Sequence, residues 1–589
     1  MMPSTAAADV SRLQLVSPIS EERTYVRCYK VYWARESPCV RSGSNHFPKP
    51  ELHMKKSTII ILAVGVVIGI VAYKLLWTVA KPKIEQRVSR IGLTENEKAA
   101  NGPLPGDVSL YAKELAAQNK IPTPGYYSSL NGAEISDAQR SGLFPAATFT
   151  GSFDGPNQVF AWRAEDAFPQ TEYINNRKPG ELYIAGGGNP PLEGVVPAGP
   201  YVAKADATTG RQFWRTYLEN ANASGNWYGA VNLNILPSGQ IVIAWENNVA
   251  LLDGDSGLIL KRTTLPTGDT PASQSNYKHV TIAPDGTLIL KNQTRPNDYP
   301  YQGTMAIIKG VVEGHTQPNS HLCAVDPNTL ELLDNVSLPE PATAPFIINM
   351  LGDKIGIYIG VNSGALRYFW DPATKKLSQD KTWVASAMQK GQSCADAPTM
   401  LGEWVILQIN GLGSDTVASS VVAVHQKDAS RMKVIFPFGE LKKGEWSFAP
   451  PKAGADPENN MIYSADMGIG KLAGIKLDPA TGEMKTVFVV DDMTTAFMPL
   501  FGPKDKRVLL VSNMKKNVAL EPMKAALFTG NYKEQVTWRD AATGRLLAES
   551  DYFEPMTFGS LLTPGYGGRV YFSSDLGFIT MQVMPTEKK

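Results

Sequence analysis

Four cysteines are all that the 589 residues contain, Cys28, Cys39, Cys323 and Cys394, and none stands in a CxxC, CxxCH or adjacent pair. That spacing excludes a zinc ribbon and a covalently attached c-type haem. An excess of either charge is missing too: 57 Lys and Arg face 56 Asp and Glu, a net charge of +1, so no global field draws the chain to nucleic acid or to an acidic substrate. No Walker A loop, no GxGxxG following a strand, no GxSxG and no HExxH occurs, which excludes the nucleotide, dinucleotide, α/β-hydrolase and zincin readings. Histidine is scarce at six, and His315 and His321, six apart with no third ligand near, match no zinc signature, so no metal site is expected from them.

Glycine and proline are plentiful at 51 and 42, with charged residues only 19% of the chain, a balance suited to many short strands and turns. One apolar run stands apart. Residues 57–80, STIIILAVGVVIGIVAYKLLWTVA, are interrupted only by Lys74 and are long enough to cross a bilayer core of roughly 30 Å. Met54-Lys55-Lys56 precedes it in the manner of a signal n-region. The expected organisation is therefore a disordered tail or mis-assigned start over 1–53, a retained transmembrane anchor over 54–82, and a stalk over 83–147 with one helix near 109–119. The regular body runs from 148 to 589.

That body repeats itself. A turn followed by an apolar strand recurs at Gly180, Gly239, Gly286, Gly352, Gly402, Asn459, Asp505 and Gly567, eight copies roughly 45 to 65 residues apart. A second signal, Asp-x-x-Thr-Gly or a close variant, recurs at Asp206-Ala-Thr-Thr209-Gly210, Asp253, Asp326, Asp371, Asp478-Pro-Ala-Thr-Gly482 and Asp540-Ala-Ala-Thr-Gly544. In such a turn Asp accepts from the amides ahead of it and Gly takes the left-handed conformation that reverses the chain, so these residues are structural. The spacing predicts an all-β fold, a single β-propeller of about eight four-stranded blades preceded by one N-terminal transmembrane helix. The last repeat lacks an outer strand, and a strand near Gln158 to Arg163 is expected to complete it and close the ring.

Asp206-x-x-Thr209-Gly210-x-x-x-Trp214 resembles the tryptophan-docking motif of the PQQ-like (quinoprotein-type) β-propeller repeat family, over residues 150–583. Other copies replace the Trp, as at Lys261 and Leu333. The resemblance implies an exported propeller, hence a single-pass protein of the bacterial inner membrane with its body in the periplasm. Family members include quinoprotein dehydrogenases, hydrolases and non-catalytic assembly factors. The dehydrogenases carry a vicinal disulfide beside PQQ and a carboxylate set for calcium; this sequence has no adjacent cysteines, which counts against PQQ redox catalysis, and no cofactor is assigned while PQQ or calcium stays an open alternative.

Length variation falls in the loops joining second to third strands and successive blades, which share one face of a propeller. The blade-entry segments should ring the channel mouth there. They supply Lys278, His279, Asp396 and Glu445 as candidate catalytic groups, and Asn226, Trp227, Tyr277, Trp446 and Glu554 as candidate ligand contacts. His279 beside Lys278 is a candidate general base or a hydrogen-bonded strand-start histidine. Asp396 and Glu445 are a candidate carboxylate pair for acid and base work or for a hard cation such as calcium, or else solvated rim charges. Two functions stand: a membrane-anchored extracytoplasmic propeller that binds a partner protein or small ligand on its long-loop face, or an enzyme at the channel mouth, either a divergent quinoprotein oxidoreductase or a cofactor-free hydrolase.

Overall fold

The computed structural model describes residues 102–187, 199–218, 231–296, 314–392, 396–411, 413–494, 496–517, 524, 526–527, 530–556 and 562–586, within a compact unit spanning Pro82–Lys589. Among these residues no helix is long and apolar enough to cross a membrane. The expectations for 1–53 and for the span 57–80 concern residues outside the described set.

Eight sheets form, one for each repeat. Blade 1 comprises Thr171–Asn175, Glu181–Gly186, Tyr201–Asp206 and Gln212–Tyr217, from the innermost strand to the outermost; blade 2 comprises Val231–Ile235, Ile241–Trp245, Asn248–Leu252 and Ile259–Thr264. Blade 3 runs from Ser275–Ile282 through Leu288–Thr294 and His321–Val325 to Leu332–Ser337, and blade 4 from Phe346–Leu351 through Lys354–Val361 and Gly364–Asp371 to Lys376–Ala385. Blades 5, 6 and 7 begin at Thr399–Leu401, Gly454–Asp456 and Leu500–Phe501 and end at Asp428–Ile435, Met484–Asp491 and Leu546–Glu549. Blade 8 takes Thr563–Pro564, Arg569–Ser574 and Gly577–Pro585 from the end of the chain and its outermost strand, Asn157–Arg163, from before blade 1. The register runs from Asn157 opposite Pro585 to Arg163 opposite Ile579, so the expected closing strand is present.

Burial explains the strand composition. Second strands lie between neighbouring blades and are covered on both faces, so Ile241–Trp245 is buried at every position and reads as a continuous apolar run. The outermost strand Met484–Asp491 alternates between half-buried and exposed positions, the pattern of a strand with one face in water.

The Asp-centred turns behave as read. Asp206 Oδ1 accepts from the amides of Thr208 and Thr209 and from the Thr209 hydroxyl, and Gly210 N donates back to Asp206 O at 2.9 Å. Where the repeat lacks Gly, Leu330 and Lys375 take the left-handed conformation themselves, at φ 59° and 54°. Trp214 docks on the next blade: a Cβ added to Gly257 would meet its ring at 2.4 Å. Elsewhere the same packing is carried by other residues, Trp404 against Gly482 and Phe488 against Gly544. The docking function is thus kept while its sequence position moves between second and outermost strands.

Residues 102–147 depart from expectation. Helix α1, Tyr111–Gln118, falls where a helix was read, but the described part of the interval taken for a stalk packs against the blades, exposed or half-exposed over most of 102–128 and mostly buried over 129–147. Asp107 N bonds Gly567 O of blade 8 at 2.9 Å, and Leu130 N bonds the Tyr566 hydroxyl. Asn131 reaches Ile174 O and Asn176 of blade 1, and Ile235 N of blade 2 bonds Gly132 O. The Tyr126 hydroxyl accepts from Ile282 N of blade 3, and Ala138 O accepts from Ile348 N of blade 4. The Thr399 hydroxyl of blade 5 bonds Gln139 O at 3.4 Å, and Leu143–Phe144 pairs in parallel with Leu500–Phe501 of blade 7. An interior belt therefore touches the innermost strands around the axis. Its Pro, Gly and polar composition resembles a linker because its backbone groups bond to the blades instead of to one another.

Candidate functional site

The belt brings buried charge to the axis. Glu134 accepts both guanidinium nitrogens of Arg140, at 2.8 and 2.5 Å, and the Tyr173 hydroxyl at 3.0 Å; the Asn232 amide also donates to it. Both charged side chains are almost wholly buried, so this bidentate pair works in a low-dielectric setting where each partner needs the other. It ties the belt to blades 1 and 2.

Around it stand Lys278, 4.0 Å from Glu172, together with Asp396 and Lys452. Burial pushes the Asp396 carboxyl up to about 6 against the opposing pull of the Ala397 amide, Arg140, Lys452 and Lys278. Burial lowers the Lys452 ammonium to about 8, with Asp396 pulling the other way. An acid and an amine that influence each other thus titrate on either side of neutrality. A small cavity beside them is lined by Asn131, Glu134, Gly142, Phe144, Lys452 and Thr563, and its space of about 10 Å³ suits roughly one water.

His279 follows Lys278 on the innermost strand of blade 3, where the register slips between Asn276 and His279. Its imidazole is 2% exposed, and burial, with Lys291 and Lys278 adding, lowers its pKa well below the usual value. The ring is neutral, as a base must be, but it is sealed from solvent. Lys291, opposite it in register, is buried with its ammonium on the carbonyls of Asn292 and Ala342.

The sequence candidates thus divide. Lys278, His279 and Asp396 are drawn into the charge cluster of the axis. Glu445 does not join it: its carboxylate accepts from the Lys442 amide in an exposed turn, so the Asp396–Glu445 pair is not assembled by the described contacts. Tyr277 is fully buried, with its hydroxyl on Pro266 O at 2.5 Å and against Cys323 Sγ at 3.1 Å, which makes it core. Glu554 takes two 2.7 Å bonds from Arg163 and one from Ser574, so it clamps the closing strand into blade 8. Trp446 stacks on Phe448 at 4.7 Å with Lys524 over its ring, beside the buried Met467, Met514 and Tyr532. Asn226 and Trp227 lie outside the described residues.

Glu134, Arg140 and Lys452 were not singled out from the sequence. Glu134 and Arg140 sit in a stretch without periodicity, and Lys452 lies in a Pro-Pro-Lys-Ala-Gly turn that gives no hint of burial. No spacing rule finds a contact made across a ring.

A PQQ and calcium centre would need a carboxylate set for the cation and a vicinal disulfide beside the quinone. Among the described residues no group of three His, Cys, Asp or Glu converges on a point, and the sequence holds no adjacent cysteines for a vicinal disulfide. The described carboxylates thus assemble no calcium-binding set of three.

Comparison of the sequence with protein-family models gives no match, and comparison with curated proteins gives none either. Among solved structures, the quinohemoprotein alcohol dehydrogenase from Comamonas testosteroni is similar at 11% identity and a TM-score of 0.46, over 82% of this chain and 86% of that one. A europium-containing methanol dehydrogenase is similar at 9% and 0.46, over 78% and 90%. BamB from Moraxella catarrhalis is similar at 13% and 0.40, over 72% of this chain and 98% of its own. Likeness at this level has no bearing on activity.

Proposed function

We propose that the chain is a membrane-tethered propeller held in the bacterial inner membrane through residues 57–80, whose long-loop face binds a partner protein or small ligand in the periplasm. The observation that carries this reading is the belt: it bonds to the tight-turn ends of the innermost strands of blades 1 to 3 and packs that end of the axis, so a partner meets the propeller from its other face. Binding then falls to the loop face, where Trp446 offers a half-buried aromatic surface over a methionine-rich base. The tether rests on the apolar run alone. Photo-crosslinking in cells tests the reading. A crosslinker at Trp446 should capture a discrete adduct that one at Lys375, on the tight-turn face, does not; no adduct from Trp446, with no ligand raising the unfolding temperature, sinks it.

A second reading, cofactor-free hydrolysis at the axis, is favoured by Asp396 near 6 and Lys452 near 8, values suited to proton transfer at neutral pH. Ester or peptide hydrolysis by the purified chain, lost in Asp396→Asn while unfolding is unchanged, supports it. An inactive wild type overturns it.

A further inference from the structure

Three blades send one side chain each to a single point on the long-loop face. Asp415 lies between Trp404–Gln408 and Val421–His425 of blade 5, Trp446 stands ahead of Gly454–Asp456 of blade 6, and Lys524 lies between Val508–Lys516 and Tyr532–Asp540 of blade 7. The Lys524 ammonium sits 4.9 Å from the centre of the Trp446 ring and 3.5 Å from Asp415 Oδ2. An aromatic face and a carboxylate that meet at one point favour a cation there over an anion or a neutral group.

The ring and the carboxylate are placed by the backbone. Ser414 and Ser447 exchange N–H to carbonyl bonds of 2.8 and 2.9 Å as an antiparallel bridge, which brings their neighbours Asp415 and Trp446 side by side. The buried Asp466 takes the Ser447 hydroxyl at 2.6 Å and the Phe448 amide at 2.9 Å, and so fixes the blade 6 side of that bridge. Gly413, at φ 87°, leaves the space that the indole fills: a Cβ there would lie 2.8 Å from Trp446 Nε1. Phe448 stacks on the Trp446 ring with 14° between the planes and belongs to a buried cluster with Met467, Met514 and Tyr532, so the ring keeps its orientation without help from Lys524.

Lys524 is held far less firmly. Its side chain is 48% exposed and that of Asp415 67%, and an ion pair and a cation–ring contact contribute little at such exposure. The site is fixed by the fold, whereas its occupant is exchangeable.

We propose that Trp446 and Asp415 form a recognition site for an alkylammonium group, and that Lys524 fills it as the chain's own stand-in until a partner's lysine side chain or a free amine displaces it. The inference rests on the loop-face binding proposed above and names its chemistry. Competition by Lys524 lowers the apparent affinity by the fraction of chains in which the site is open, so removing that side chain tightens binding without adding a contact.

The test labels the 11 tryptophans of the full chain with fluorotryptophan and identifies the Trp446 fluorine resonance by its loss in Trp446→Phe. Nα-acetyl-lysine methylamide, which carries one ammonium and no other charge, should move that resonance. Lys524→Ala should lower its dissociation constant about fivefold. Asp415→Asn, added to Lys524→Ala, should raise it again about fivefold. The Nε-acetylated probe, similar in shape but uncharged, should leave the resonance unmoved. Lys524 and Asp415 are exposed, so both variants should unfold at the wild-type temperature. A resonance unmoved by the charged probe in Lys524→Ala, or moved equally by the uncharged one, overturns the inference. So does a Lys524→Ala chain that binds no tighter than wild type, or a dissociation constant indifferent to Asp415. A small diazirine side chain in place of Lys524, which vacates the site, then separates the sources in cells: a discrete protein adduct identifies a partner's lysine, and probe binding with no adduct identifies a free amine. An adduct with no response to the probe overturns the ammonium chemistry and leaves the loop-face reading standing.

Discussion

Two segments that precede blade 1 close the same ring at opposite radii. Asn157–Arg163 closes it from outside as a regular strand, with a ladder to Gly577–Pro585 and a half-buried Arg163–Glu554 clamp. Residues 129–144 close it from inside with hardly any ladder, by single bonds to one blade after another and by the buried Glu134–Arg140 pair. The outer closure relies on backbone pairing that many sequences supply; the inner one relies on particular side chains whose loss leaves charge stranded.

The sharpest way to break this comparison is Glu134→Gln. It leaves Arg140 buried without its carboxylate and should cost about 3–5 kcal/mol in denaturant unfolding. A smaller loss would mean that the belt is held by its backbone bonds instead.

The next effect is read from pH. Asp396, raised to about 6 from 3.8, and Glu534, buried on the blade 7 strand Tyr532–Asp540 and raised to about 7 from 4.5, hold protons in the fold that the unfolded chain releases earlier. Their stabilisation is complete below the unfolded values and lost as pH rises to about 7. Lys452 works in the opposite sense: lowered to about 8 from 10.5, it sheds in the fold a proton the unfolded chain keeps, so stability returns as pH climbs from 8 towards 10.5. Denaturation midpoints should trace a trough between pH 7 and 8. Lys452→Met should flatten its alkaline limb and Asp396→Asn part of its acid limb; a curve without a trough would show the axis to be better hydrated than its burial implies.

Arg163→Ala, at the outer closure, should cost less than the belt substitution, about 1–3 kcal/mol, because the strand keeps its ladder and the pair is partly open to water. Equal losses at Arg163 and Glu134 would erase the distinction. The smallest expected effect has the opposite sign. Lys375→Gly restores the residue the repeat uses at a left-handed, exposed turn position, and should stabilise by about 0.5–1 kcal/mol in thermal unfolding.

Among the candidate site residues, legibility followed the range of the contact. Asp206, Thr209, Gly210, Asp478, Gly482, Asp540 and Gly544 act within their own turns, so a repeated pattern of five residues revealed them. Lys278 and Asp396 were found because both sit at blade entries, although Glu445, at an equivalent entry, turned outward to Lys442. Tyr277 and Glu554 occupy entries too, yet one is core and the other a clamp, since side-chain direction at a bulged or irregular strand start is set by the neighbouring blade.

By itself the sequence determined the eightfold repeat, the turn chemistry and the closing outer strand, because hydrophobic period and turn residues act over a few positions. Only the tertiary structure decided that 129–147 is buried against the innermost strands and that Glu134, Arg140, Asp396 and Lys452 share one buried neighbourhood. Those contacts join residues up to several hundred positions apart, and burial, which sets their charge, is a property of the closed ring and of no local stretch.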